Sequence, residues 1–297
     1  MRKVIFEGAA TALITPFRHD SYIDYKALEE LIEFQIKGNI QALVVAGTTG
    51  EAATLTDEEH FDLIKYTVET VAGRVPVIAG AGSNSTDHAR RLSRNSKRAG
   101  ADGLLIVSPY YNKANLQGLV GHYKVCSEAA DNELPVIVYN VPSRTGLNIK
   151  PEYYEKLLKI ENIVAIKEAS GDVAQAMKLV ADYGNDISVY SGNDNLTLPI
   201  LSVGGRGVIS VAANIIPREM QQIWESFENG KIKESRNMMF HYLELIDSMF
   251  VDVNPVPVKE AAAIMGFGTG KMRLPLGELD EDKRQKLVYV MKKYHIS

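Results

Sequence analysis

What most constrains the fold of this 297-residue chain is an alternation: short apolar, β-branched runs recur every ~25–35 residues, separated by longer amphipathic stretches. The runs are Ala9 to Ile14, Ala42 to Ala46, Val75 to Ala79, Gly103 to Val107, Val136 to Tyr139, Ile163 to Lys167, Ser188 to Ser191 and Gly207 to Ser210. They are apolar on both faces, as strands of a parallel sheet covered on both sides must be. The stretches between them have readable helix starts. Asp24 precedes YKALEELIEFQIKG, Thr56 opens DEEHFDLIKYTVETVAG and Asp87 opens HARRLSRNSKRAG, and these end at Gly38, Gly73 and Gly100. Eight such repeats predict an α/β fold, a (β/α)8 TIM barrel over residues 1–227. Beyond it the strand signal stops. Lys231 to Phe250, Pro257 to Met265 and Asp280 to Tyr294 read as three helices of a C-terminal helical domain, residues 228–297, with Pro255, Pro257 and Pro275 as breakers. A doubly wound open sheet would need a phosphate-binding glycine fingerprint. Gly47-Thr48-Thr49-Gly50 and Gly204-Gly205-Arg206-Gly207 have neither the Rossmann nor the Walker spacing.

Composition excludes several function classes. A net charge of −4 argues against a nucleic-acid partner, which favours a basic face. The six histidines are scattered, with no pair at metal-ligand spacing, so no metal is expected. Cys126 is the only cysteine and sits in an amphipathic helical pattern, where it reads as a buried structural thiol; a reducing cytoplasm is the expected setting. Gly8 to Phe17, after Arg2 and Lys3, is too short and polar for a secretory signal core. No stretch has the length of a membrane-spanning helix, and no membrane partner is expected.

In such barrels the active site lies at the C-terminal ends of the strands. Lys167 ends the sixth run, so its stem leaves a dry strand. An ordinary lysine, with a pKa near ~10.4, is protonated at neutral pH, and desolvation is what frees its amine to attack a carbonyl. Tyr139 ends the neighbouring fifth run and could relay protons. Thr48 and Thr49, between two glycines, offer hydroxyls and close backbone amides to a small carboxylate. Arg144, two residues after Pro142, presents a planar fork suited to a second carboxylate. Taken singly, each has a plain structural reading: a surface lysine, a barrel aromatic, a tight turn, a loop salt bridge. Lys259 is also flanked by apolar residues, but it falls outside the predicted barrel and is expected to pack a helix.

Five motifs carry a resemblance that runs from about Gly8 to the C-terminal helices: Gly47-Thr48-Thr49-Gly50-Glu51, Ser108-Pro109-Tyr110-Tyr111-Asn112, Tyr139 to Gly146, Ile166-Lys167-Glu168-Ala169 and Gly207 to Val211. With these the chain resembles the dihydrodipicolinate synthase family of the pyruvate-dependent aldolases and lyases. Tyr110-Tyr111 and Arg144 separate it from the sugar-acid aldolases and sialic-acid lyases of that superfamily. The resemblance implies that Lys167 forms an imine with pyruvate, and that Tyr139 shuttles protons through Thr48 to a Tyr111 supplied by a neighbouring subunit. It implies that Thr49, the backbone at Ile209 and Gly192 hold pyruvate, and that Arg144 takes the carboxylate of aspartate 4-semialdehyde. A homotetramer, no metal and no organic cofactor follow from the same resemblance.

One departure stands out. Lysine-regulated members carry a glutamate at the position of His88 and often a histidine at that of Asp57, whereas Asn84, His60 and Tyr110 match their pattern. Weak or absent inhibition by L-lysine is therefore expected. Two other readings compete: an aldolase acting on a sugar acid, and a catalytically dead barrel that binds a keto acid.

Overall fold

The computed structural model describes residues 2–296. Eight parallel strands close into a barrel in sequence order: β1 (Gly8–Ala12), β2 (Ala42–Val45), β3 (Val77–Gly80), β4 (Gly103–Val107), β5 (Val136–Asn140), β6 (Ile163–Glu168), β7 (Ser188–Ser191) and β8 (Gly207–Ser210). Each lies within two residues of its expected bounds. Helices α1 (Tyr25–Lys37), α2 (Asp57–Val71), α3 (Thr86–Arg98) and α4 (Leu116–Ala129) cover the first half. The short α5 (Pro142–Thr145) and α6 (Tyr154–Leu157), then α7 (Val173–Tyr183), α8 (Thr197–Ser202) and α9 (Pro217–Glu228), cover the second. The three C-terminal helices follow as α10 (Ile232–Ser248), α11 (Val256–Ile264) and α12 (Glu281–Lys293).

The helix starts obey local chemistry. Asp24 accepts from the Ala27 amide at 3.1 Å, and Thr56 forms a capping box with Glu59. The third start differs from expectation: Ser85, not Asp87, is the cap, its hydroxyl accepting from the His88 amide. Asp87 instead lies in the first turn of α3, where a carboxylate suits the positive end of the helix dipole.

Inward-facing side chains fill the barrel, among them Ala10, Val44, Ile78, Leu105, Ile137, Ala165, Tyr190 and Ile209. At the N-terminal end Phe6 stacks on Tyr190, ring centroids 4.2 Å apart, and the Tyr190 hydroxyl donates to the Phe6 carbonyl at 2.6 Å. The barrel closes where Gly8 pairs with Gly207, and a Cβ on Gly207 would sit 1.9 Å from the Gly8 carbonyl oxygen. Phe6 and Tyr190 thus fill the base, and a cavity lies at the C-terminal strand ends.

Candidate active site

Lys167 on β6 pairs in register with Tyr139 of β5 on one side and Tyr190 of β7 on the other. Its side chain is 5% exposed, and Nζ lies 4.4 Å from the centroid of the Tyr139 ring. Burial pulls Lys167 down to about 8, with Asp194 opposing the shift and Arg144 adding to it. At neutral pH roughly one such amine in ten is unprotonated, against fewer than about one in a thousand for an ordinary lysine. Burial also pushes the Tyr139 phenol up to about 12, opposed by Arg144, so it keeps a proton to give.

Above these two groups lies a cavity of about 370 Å³, lined by Lys167, Tyr139, Thr48, Thr49, Arg144, Gly192 and Asp194 among others. Gly192 makes room for the lysine. A Cβ there would stand 2.6 Å from the Ala169 Cβ and 3.1 Å from the Lys167 Cε. Thr49 is buried, and its hydroxyl oxygen accepts from Asn254 Nδ2 at 3.0 Å. That leaves the threonine's own hydrogen for a ligand. Arg144 is carried on α5, a single turn that starts at Pro142 and stops at Gly146. Exposed at the cavity rim, it is anchored by one bond to the Asn254 carbonyl at 2.8 Å.

Six of the eight residues expected from sequence thus converge on one cavity. The other two do not line it. Tyr111 is 88% exposed on the loop after β4, its backbone amide donating to the Thr145 carbonyl at 3.1 Å. Ile209 is fully buried on β8, paired with Ala10 inside the barrel, and Val211 and Ala12 line the cavity beside it.

Three contributions escaped the sequence reading. Asp194, three residues past β7, is a buried carboxylate on the cavity wall; it accepts from the Ser210 hydroxyl and from the Val211 amide at 3.0 Å. Asn254 reaches Thr49 and Arg144 from beyond the barrel. Lys259, expected only to pack a helix, donates from α11 to Glu51, the last residue of the Gly47–Glu51 turn. Their partners are what define them: Asn254 reaches Thr49, and Lys259 reaches Glu51, across more than about two hundred residues, and Asp194 takes its donors from the next strand end.

A second cavity of about 510 Å³ adjoins the first, sharing Thr48, Tyr139, Arg144 and Asn254 and extending to Asn84, His88 and Tyr110. On its wall His88 Nε2 meets Asp57 Oδ1 at 2.8 Å, and Arg91 donates to Asp57 Oδ2 at 3.1 Å. Despite partial burial, these two partners hold the Asp57 carboxyl below the usual range. His60 is buried, its Nε2 2.7 Å from the Gly80 carbonyl oxygen.

Comparison with known proteins gives one answer. The dihydrodipicolinate synthetase family profile matches residues 5–294. A 4-hydroxy-tetrahydrodipicolinate synthase of Caldicellulosiruptor bescii is 48% identical over 293 residues, 99% of this chain and 98% of that protein. One from Acetivibrio thermocellus is also 48% identical, over 294 residues and 99% of each chain. The crystal structure of dihydrodipicolinate synthase from Aquifex aeolicus superposes with a TM-score of 0.95 at 41% identity, covering 98% of this chain and 99% of that one.

Proposed function

This chain belongs to the dihydrodipicolinate synthetase family, and from that premise we propose that its cavity joins pyruvate to L-aspartate 4-semialdehyde through an imine on Lys167. The product is 4-hydroxy-tetrahydrodipicolinate, on the route to diaminopimelate and lysine, and the enzyme is a lyase of the Schiff-base aldolase type. The observation that carries the reading is a buried lysine, its pKa pulled down by desolvation, held against a tyrosine at the open end of the barrel.

The family pattern and the cavity together support the following roles. The neutral Lys167 amine attacks C2 of pyruvate; the carbonyl oxygen gains protons and leaves as water, giving a protonated imine. Tyr139 supplies a proton at this step and, as phenolate, removes one from the methyl group to give the enamine. Thr49 and the space at Gly192 hold the pyruvate end; the family pattern adds the backbone at Ile209, whose side chain lies inside the barrel and does not line the cavity. Arg144 at the rim receives the carboxylate of the semialdehyde, a contact its planar fork suits. The enamine carbon then attacks the aldehyde, whose oxygen takes a proton. Finally the semialdehyde's amine adds to the imine carbon, displaces Lys167 and closes a six-membered ring. The imine is the electron sink throughout, so the scheme calls on no metal or organic cofactor.

Thr48 and Tyr111 complete the proton path, with Tyr111 supplied by a neighbouring subunit of a homotetramer. The 88% exposure of Tyr111 within a single chain supports this. Sedimentation velocity tests the assembly: a tetramer is expected, and a fully active monomer contradicts it. A cytoplasmic setting belongs to the same reading and is supported by the buried, unpaired Cys126. The rival sugar-acid chemistry is disfavoured by Arg144, whose charge at the rim suits a carboxylate. The reaction itself is tested by a coupled assay of pyruvate and aspartate semialdehyde with a downstream reductase as reporter. Turnover is expected with this pair, and turnover with sugar acids alone would overturn the assignment.

A further inference from the structure

The imine of this scheme places a positive charge inside the barrel, and a charge in a dry site is costly unless an opposite charge is fixed nearby. The cavity wall holds one buried carboxylate among the described residues: Asp194, 1% exposed. The other acids on that wall are Asp247 on α10, which is exposed, and Asp252 in the loop after it, which is bound by Lys283.

Asp194 is tied down by three donors from the end of β8 and the residues just after it. Its Oδ1 accepts from the Ser210 hydroxyl, and its Oδ2 from the amides of Val211 at 3.0 Å and Ala212 at 3.5 Å. Burial pushes the Asp194 carboxyl up, and these donors together with the charge of Lys167 oppose that shift in favour of the carboxylate; the same bonds lock the segment after β7 to the end of β8. The lysine is held against the same segment. Lys167 pairs with Tyr190, Glu168 pairs with Ser191, and the Gly192 backbone lies along the lysine stem.

We propose that Asp194 is the counter-ion of the protonated imine on Lys167, a positioning residue that keeps the charge inside the barrel from β7 through methyl deprotonation and carbon–carbon bond formation. The inference rests on the Schiff-base reading above. The groups facing Lys167 fit this assignment. Tyr139 from β5 stays protonated, Arg144 after β5 is cationic, and the Tyr190 hydroxyl is committed to the Phe6 carbonyl. Among the described residues, Asp194 is the buried carboxylate on this wall, and its negative charge opposes the effect of burial on the lysine.

The test is the pH dependence of borohydride trapping with pyruvate. In the wild type, the rate of adduct formation rises with pH through the midpoint of the Lys167 amine. In Asp194→Asn, which keeps the shape and loses the charge, that midpoint moves down by about one pH unit or more, as loss of a close opposite charge requires. The turnover number falls at least about tenfold in the same variant. An unshifted midpoint in Asp194→Asn overturns the inference. A second readout needs no variant: with [2-13C]pyruvate on the wild-type enzyme, the carbon-13 shift of the imine carbon stays at the protonated value up to pH 9, and a neutral imine at pH 8 also overturns it. If the wild type forms no adduct at all, the Schiff-base reading fails; if it does and Asp194→Asn traps with an unchanged midpoint, only the counter-ion fails.

Discussion

Lys259, on a helix outside the barrel, donates its ammonium to Glu51 at the end of the turn that carries Thr48 and Thr49, and both side chains are shut off from water. Arg273 completes the arrangement: its backbone amide donates to the other Glu51 oxygen at 3.1 Å, and its guanidinium bridges to Glu59. Lys259 and Arg273 also lie on the ring of Phe17, 4.1 and 4.4 Å from its centroid. Residues of α11 and of the loop that follows it thus brace the substrate turn.

Breaking this pair strands a buried carboxylate. Lys259→Met is expected to cost about 3–5 kcal/mol of stability, the usual penalty for removing one member of a buried ion pair. Adding Glu51→Gln should recover part of that loss. Urea unfolding of both variants measures it, and a loss below about 1 kcal/mol in the single variant would show that the pair is dispensable.

The rate should follow the ionisation of Lys167. Burial lowers its pKa to about 8, and only the neutral amine attacks. Below that pH the population of neutral amine falls about tenfold per unit, and kcat/KM for pyruvate should fall with it. Above it the profile should level off. A profile flat from pH 6 to 9 would mean that the lysine is not the titrating nucleophile.

Arg144 should matter chiefly for one substrate. Its guanidinium stands at the rim, anchored to the Asn254 carbonyl and clear of the strand that carries Lys167. Arg144→Ala is expected to lower kcat/KM for the semialdehyde by about tenfold or more while imine formation with pyruvate survives. Steady-state kinetics with the semialdehyde varied, beside a trapping assay, separates the two. Unchanged efficiency would remove Arg144 from substrate recognition.

L-lysine should inhibit weakly. His88 stands where lysine-regulated relatives place an acid, and the acid that is present, Asp57, is already bound by His88 and Arg91. Loss of one charge-assisted hydrogen bond to the inhibitor's ammonium costs about 1.5–3 kcal/mol, roughly tenfold to a hundredfold in affinity. Inhibition curves should show little effect at millimolar L-lysine, and micromolar inhibition would contradict this account.

The sequence was informative where a signal is local. Strands buried on both faces read as β-branched runs, so β4, β7 and β8 were placed to the residue. Lys167 and Tyr139 were visible because a polar group ending an apolar run has few reasons to be there. Two kinds of information were missing. Short-range capping competes among neighbours, and Ser85 prevailed over Asp87 because its hydroxyl sits three residues before the His88 amide, the spacing an N-cap requires. Long-range pairing leaves no local trace: Glu51 meets Lys259, and Thr49 meets Asn254, across more than two hundred residues. Asp194, in a polar turn after β7, looked like any loop aspartate until β8 supplied its donors.

The central claim is that Lys167 is the amine that captures pyruvate. Borohydride reduction of the wild-type enzyme with pyruvate, followed by intact-mass and peptide mass spectrometry, tests it most directly. One reduced pyruvyl adduct per chain, mapped to Lys167 and absent from Lys167→Ala, is the predicted result. No adduct, or an adduct on the other buried lysine, Lys259, would contradict it.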